Sequence, residues 1–243
     1  MKIASDLLAR ALAVEHAEQR TGAPPTFEET WARLGWEPFP RQRAVVDQVM
    51  SGVYAILAGG SAGGGKTALG RNLAIALCRR FPGIRIGIFR RTYPELHRTH
   101  EIPISLLPQN FGRYYHDPHE YRFDNGSILE LGSCERDADL VGFQSAEYDA
   151  IILDEGTAFT WYQITFLNAR IRSVNTKAPK FLLILTNPGG ESHAEIKATF
   201  VDAAEPEQRF DAKIGESSFP AIFVPFRLED NQALLVNDPG YRD

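Results

Sequence analysis

Cysteine is scarce: Cys78 and Cys134 are the two in 243 residues. That is too few for a disulfide framework, and their apolar or mixed neighbours suit a reducing compartment. Positive charge is also short. With 26 Lys and Arg against 31 Asp and Glu, the net charge is −5, so no global positive field marks the chain for nucleic acid and any such contact must come from a local patch. No apolar run approaches membrane-spanning length, and Asp6, Arg10 and Glu15 interrupt the apolar stretch near the N-terminus, which leaves no signal-peptide core. A cytoplasmic protein without membrane contact is expected. The six histidines show no metal-ligand or triad spacing; His97 and His100, three apart on a predicted helix, read as a solvated face. Internal repeats and low-complexity blocks are absent as well.

Glycine is what the chain has in one place. The stretch "LAGGSAGGGKTALG", residues 57 to 70, concentrates it around a single lysine. Gly60, Ser61, Ala62, Gly63, Gly64, Gly65, Lys66 and Thr67 satisfy G-x-x-x-x-G-K-[ST] at every fixed position, between an apolar run "VYAILA" and a helix-compatible "TALGRNLAIALCRR". Glycines let successive N–H groups wrap an anion, and the helix N-terminus, with Ala68 in its first turn, adds partial positive charge at the same spot. This is a phosphate loop for ATP: Lys66 reaches the β- and γ-phosphates and the Thr67 hydroxyl ligates Mg²⁺.

The composition supports one substantial core with a small accessory segment. Residues 3 to 20 have helical apolar spacing, and "TFEETWARLG" carries a capping-box spacing at Thr26 and Glu29. "FPRQRAVVDQVMSG" reads as a third helix. Beyond these, short apolar runs predict strands at 53–58, 84–89, 149–153, 181–186 and 221–226, alternating with helices at 67–80, 94–106, 160–173 and 191–202. Continuous apolar strands imply a mostly parallel sheet with helices on both faces. "YRFDNGSILELGS" breaks the rhythm with a turn signal, "DNG", and predicts a small antiparallel hairpin at an edge.

In an open parallel sheet ligands lie beyond the carboxyl ends of the strands. There "YDAIILDEGTAF" delivers Asp154, placed to hold Mg²⁺, and Glu155, placed to orient and deprotonate a water. "LLILTNPGG" delivers Thr186 and Asn187, small polar groups suited to sensing a γ-phosphate. Arg90 and Arg91 end another strand, and either can meet nucleotide, a neighbouring subunit or DNA phosphate, or simply face solvent. Gln42, ahead of the loop, can read an adenine edge or stand as a plain helix-surface residue.

The segments "GGSAGGGKT", "RRTYPEL", "NGSILELGS", "LVGFQSAEYDAIILDEGTAF" and "LLILTNPGG", in this order and spacing, resemble the ATPase domain of the large terminase subunit, the DNA-packaging motor of tailed phages. The resemblance covers roughly residues 36 to 243, with residues 1 to 35 as an N-terminal helical segment. It implies an additional-strand, catalytic-glutamate P-loop fold in which the 181–186 strand lies between the loop strand and the Asp154 strand. It implies ATP and Mg²⁺ as cofactors and a homo-oligomeric ring, commonly of five subunits. The implied partners are double-stranded DNA, a portal protein and a small terminase subunit, in the host cytoplasm at the procapsid. By matching motif, Gly60, Gly65, Lys66 and Thr67 bind phosphate and Mg²⁺, Asp154 binds Mg²⁺, Glu155 activates water, Thr186 and Asn187 couple hydrolysis to movement, and Gln42 contacts adenine. Relatives commonly carry an arginine inside the loop or before the glycine of the 140–142 segment. Here those places hold Ser61, Ala62 and Val141, which leaves Arg90, Arg91, Arg136 or a neighbouring subunit to neutralise charge; Arg91 is taken as the candidate beside Lys66 and Glu155. The family's nuclease domain is not expected in this chain. A helicase-like remodelling ATPase and a nucleotide-dependent assembly module with little turnover are the alternative functions.

Overall fold

The computed structural model describes residues 23–175 and 177–231; the helix expected over residues 3 to 20 lies outside them. Helix α1 (Phe27–Arg33) starts on the expected capping box, in which Thr26 Oγ1 accepts from the Glu29 N–H and the Glu29 carboxylate accepts from the Thr26 N–H. Helix α2 (Pro40–Met50) follows with proline at its first position, where no intrahelical N–H is required. Then come β1 (Ala55–Gly60), α3 (Lys66–Arg80) and β2 (Arg85–Arg90). A helical segment comprises α4 (Tyr93–Leu96), a π turn (His97–Glu101) and α5 (Ile102–Ser105). Next are β3 (Gly112–His116), β4 (His119–Phe123), β5 (Ile128–Ser133), β6 (Ala150–Asp154), α6 (Trp161–Asn168), β7 (Phe181–Thr186) and α7 (His193–Ile196), the last running into a π turn (Lys197–Val201). Strands β8 (Arg209–Ile214) and β9 (Ser217–Phe226) complete the described chain.

One nine-stranded sheet has the order β3-β4-β5-β2-β6-β7-β1-β9-β8. The six strands from β5 to β9 in that order pair in parallel, while β3, β4 and β8 are antiparallel additions at the two edges. As expected, β7 lies between the Asp154 strand and the loop strand. The predicted hairpin is present, but its second arm, β5, also pairs in parallel with β2.

The apolar strands are buried on both faces because each face has its own helices. On β7, Leu183 and Leu185 pack with Leu69 and Leu73 of α3 and Val45 and Val49 of α2. Leu182 and Ile184 point the other way, into the layer of Ile164 and Leu167 of α6 with Ile196 and Phe200. This alternation with period two is what a two-sided parallel sheet requires.

Four expected elements differ, among them the helix expected over 191–202, which starts at His193 and passes into the π turn at Lys197–Val201. The helix expected over 160–173 stops at Asn168, because Ile171 forms a bridge to Tyr148 and the Tyr148 N–H donates to the Arg170 carbonyl at 2.9 Å. The helix expected over 94–106 is interrupted by the π turn. The strand expected at 221–226 begins at Ser217 and pairs with β8, whose charged residues Arg209 and Lys213 are exposed while Ala212 and Ile214 are buried.

The crossing of β1 into its loop depends on glycine. Gly60 has φ +139°, and a Cβ there would stand 2.0 Å from the Phe226 carbonyl oxygen of β9. Gly60→Ala is therefore expected to lower unfolding free energy by at least the ~1–3 kcal/mol of a forced backbone, read as a lower urea midpoint with unchanged slope.

Candidate active site

The carboxyl ends of β1, β7, β6 and β2 bring the motifs together. Beyond β1, residues 61–65 form the loop, and Gly65 holds φ +74° immediately before α3. Gln42 braces it from behind: its amide nitrogen donates to the Gly65 carbonyl at 2.9 Å and its oxygen accepts from the Phe39 N–H at 2.8 Å. Gln42 is 1 % exposed, so both ends of the amide expected to read adenine are engaged by the chain's own backbone.

Lys66, the first residue of α3, folds back so that its ammonium donates to the Ser61 carbonyl at 2.6 Å. Burial pushes this ammonium down to about 8, against the pull of Asp154, which raises it. A phosphate beside it would raise it again and favour the charged form. Thr67 turns its hydroxyl to the last residue of β6, with Oγ1 at 3.1 and 3.2 Å from the two Asp154 oxygens.

Asp154 is 2 % exposed. Burial alone would raise its pKa, yet the carboxyl is held below the usual range by the hydrogen bond from His100, by the charge of Arg90 and by the Thr67 hydroxyl. His100 Nε2 lies 3.0 Å from Asp154 Oδ2, and one Arg90 nitrogen lies 3.7 Å from the same oxygen. The other Arg90 nitrogen pairs closely with the Glu155 carboxylate.

Glu155 has φ 57° and ψ 51°, a left-handed conformation that a non-glycine residue holds at a cost of about 1–3 kcal/mol. It turns the chain out of β6 and leaves the carboxylate exposed while Asp154 stays buried. Two residues on, Thr157 joins this turn to the end of β7: its hydroxyl meets Thr186 Oγ1 at 2.7 Å and donates to the Asn187 carbonyl at 3.2 Å. A cleft of about 590 Å³ opens over these ends, lined by the loop, Thr67, Arg71, Arg98 and Asn187.

The structure thus brings together Lys66, Thr67, Asp154 and Glu155, with Thr186 and Asn187 alongside. Of the two arginines ending β2, Arg90 meets the carboxylates. Arg91 instead donates to the Ala158 carbonyl at 2.9 Å and pairs with Glu191 at 3.2 Å. Arg136 is exposed, and its backbone N–H donates to Asp139. His100, expected on a solvated face, is fully buried: the π turn inserts a residue and shifts the helix phase.

The oxygen pair of Thr67 and a charged, buried Asp154 suits Mg²⁺, a hard cation held by one or two protein oxygens plus phosphate. Among the described residues no group of three or more His, Cys, Asp or Glu is placed to hold a metal ion, and no helix is long and apolar enough to cross a membrane.

Comparison with solved structures identifies the fold. The large terminase of the thermophilic bacteriophage D6E superposes with a TM-score of 0.61 at 16 % identity, over 82 % of this chain and 48 % of that one. The same protein in complex with ATP-γ-S gives 0.59 at 17 % identity, over 85 % and 50 %. The large terminase ATPase domain of Thermus phage P74-26 gives 0.53 at 16 % identity, over 90 % and 93 %. This chain spans about half the length of the D6E protein and nearly all of the P74-26 domain. No protein-family model matches the sequence, and no curated protein matches it. The shared fold is the additional-strand P-loop fold, with β7 between β6 and β1.

The Lys66 ammonium gives a signed pH prediction. Its value falls from 10.5 to about 8 on folding, so between those limits the unfolded chain binds more protons and this group's contribution to stability rises with pH. Lys66→Met should remove that rise, measured as the difference in urea midpoint between wild type and variant at about pH 8 and about pH 10.

Proposed function

We propose that this chain is the ATP-hydrolysing motor domain of a large terminase, driving double-stranded DNA into a procapsid. The observation that carries the reading is the contact between Thr67 and Asp154, flanked by the exposed Glu155. It joins the phosphate loop to a strand-end carboxylate pair, an arrangement that nucleotide binding alone does not require.

In this reading the loop N–H groups of residues 61–65, Lys66 and the α3 N-terminus hold the phosphates. Thr67 and Asp154 would hold Mg²⁺, which would supply positive charge against the phosphates. Glu155 orients the attacking water and accepts its proton. Arg90, released from Glu155 as the site fills, meets negative charge growing on the γ-phosphoryl group. Gln42 acts on the nucleotide through the loop it braces. Arg91 ties the Glu155 turn to Glu191, beyond β7, and Thr186 and Asn187 carry the change of state through Thr157 into that segment. Residues 36–243 form the motor domain after an N-terminal segment. Portal protein, small terminase subunit and a ring of this chain, commonly of five copies, complete the packaging machine.

Glu155→Gln separates the readings. Turnover should fall about 10²–10⁴-fold with ATP affinity kept and the wild-type rate raised by double-stranded DNA. Unchanged turnover in the variant contradicts a water-activating role, and stimulation by single strands with duplex unwinding points to a helicase-like enzyme instead.

A further inference from the structure

His100 contributes nothing to the apolar core that a leucine would not, yet it occupies a fully buried position against the one buried carboxylate of the site. A carboxylate oxygen accepts, so across the 3.0 Å contact His100 donates from Nε2 to Asp154 Oδ2. The other ring nitrogen, Nδ1, is buried with no partner.

The backbone around His100 is fixed from both sides. Its predecessor Thr99 offers a carbonyl that accepts from Arg71 of α3 at 2.7 Å, on the same helix that presents Thr67. Its successor Glu101 is 1 % exposed and is gripped by the Tyr93 hydroxyl at 2.9 Å and by His116 Nδ1, at the end of β3, at 3.1 Å. A π turn with its neighbours anchored to α3 and to the antiparallel edge is a rigid mount for one imidazole, and π turns of this kind recur at functional sites.

We infer that His100 is a positioning residue for Asp154: its Nε2–H holds Oδ2 and so fixes the carboxylate in the orientation that brings both its oxygens to the Thr67 hydroxyl, the pair that would hold the metal. The inference rests on the nucleotide reading above and deepens it. Outer partners that orient a ligating carboxylate typically alter metal affinity about 10–100-fold when removed.

The test compares His100→Phe, which fills the space without a donor, with His100→Gln, whose amide nitrogen replaces Nε2. Mn²⁺ affinity in the presence of ADP is read by electron paramagnetic resonance, and the Mg²⁺ dependence of turnover is read alongside it. The expected result is Mn²⁺ binding weakened about 10–100-fold in His100→Phe, a matching rise in the Mg²⁺ concentration for half-maximal rate, little change in the rate at saturating Mg²⁺, and recovery in His100→Gln. If His100→Phe does not fold, His100→Leu takes its place. Wild-type Mn²⁺ affinity in the apolar variant, or a His100→Gln protein as weak as the apolar one, overturns the role of His100. A wild-type protein that gathers no Mn²⁺ with ADP overturns the nucleotide reading itself, and this inference with it.

Discussion

Burying a carboxylate at the end of β6 is unfavourable unless its neighbours offset the lost hydration, and the layout of this site follows from which neighbours do so. Asp154 receives a hydroxyl from α3, an imidazole from the π turn and a guanidinium from β2. Each comes from a different element, so the charge is satisfied only when loop helix, sheet and interrupted helix are all in place. The same convergence puts the phosphate loop and the carboxylate pair within reach of one ligand. Stability of the strand end and competence of the site therefore rest on one set of contacts.

Glu155 and Asp154 show how one dipeptide supplies two environments. The extended backbone of β6 buries Asp154, and the left-handed turn at the next residue carries Glu155 out to the cleft. One carboxylate is fixed by partners from three elements, while the other pairs with Arg90, an ion pair that an incoming phosphate can compete for. Thr157 lies in the same turn and shares its hydroxyl with Thr186 and Asn187. A change at Glu155 is thus mechanically connected to the segment after β7.

Much of this was legible in the sequence because it rests on local rules. The glycines around Lys66 announce a loop that a Cβ would obstruct, and continuous apolar runs announce a sheet covered on both faces. Arg90 was legible too, through a signal that goes unused when the two arginines are read as equivalent. On β2 the period of two places Arg90 with Ile86 and Ile88, which pack in the α3 layer, whereas Phe89 faces the opposite layer. His100 was hidden for a different reason: a π turn changes helical phase without a compositional mark, so spacing alone put the residue on the wrong face. Strand β8 was missed because an edge strand with one wet face has too few apolar residues to stand out. The early stop of α6 depends on Ile171 meeting Tyr148, a contact between residues far apart in sequence.

The account's central claim is that Thr67 and Asp154 form one cation-dependent nucleotide site with the loop. The most direct test is the affinity for ATP-γ-S by calorimetry, with and without Mg²⁺, in wild type and in Asp154→Asn. The account predicts tighter binding with Mg²⁺ in the wild type and loss of that Mg²⁺ effect in the variant. Equal affinity with and without Mg²⁺ in the wild type, or a Mg²⁺ effect that survives Asp154→Asn, would contradict it.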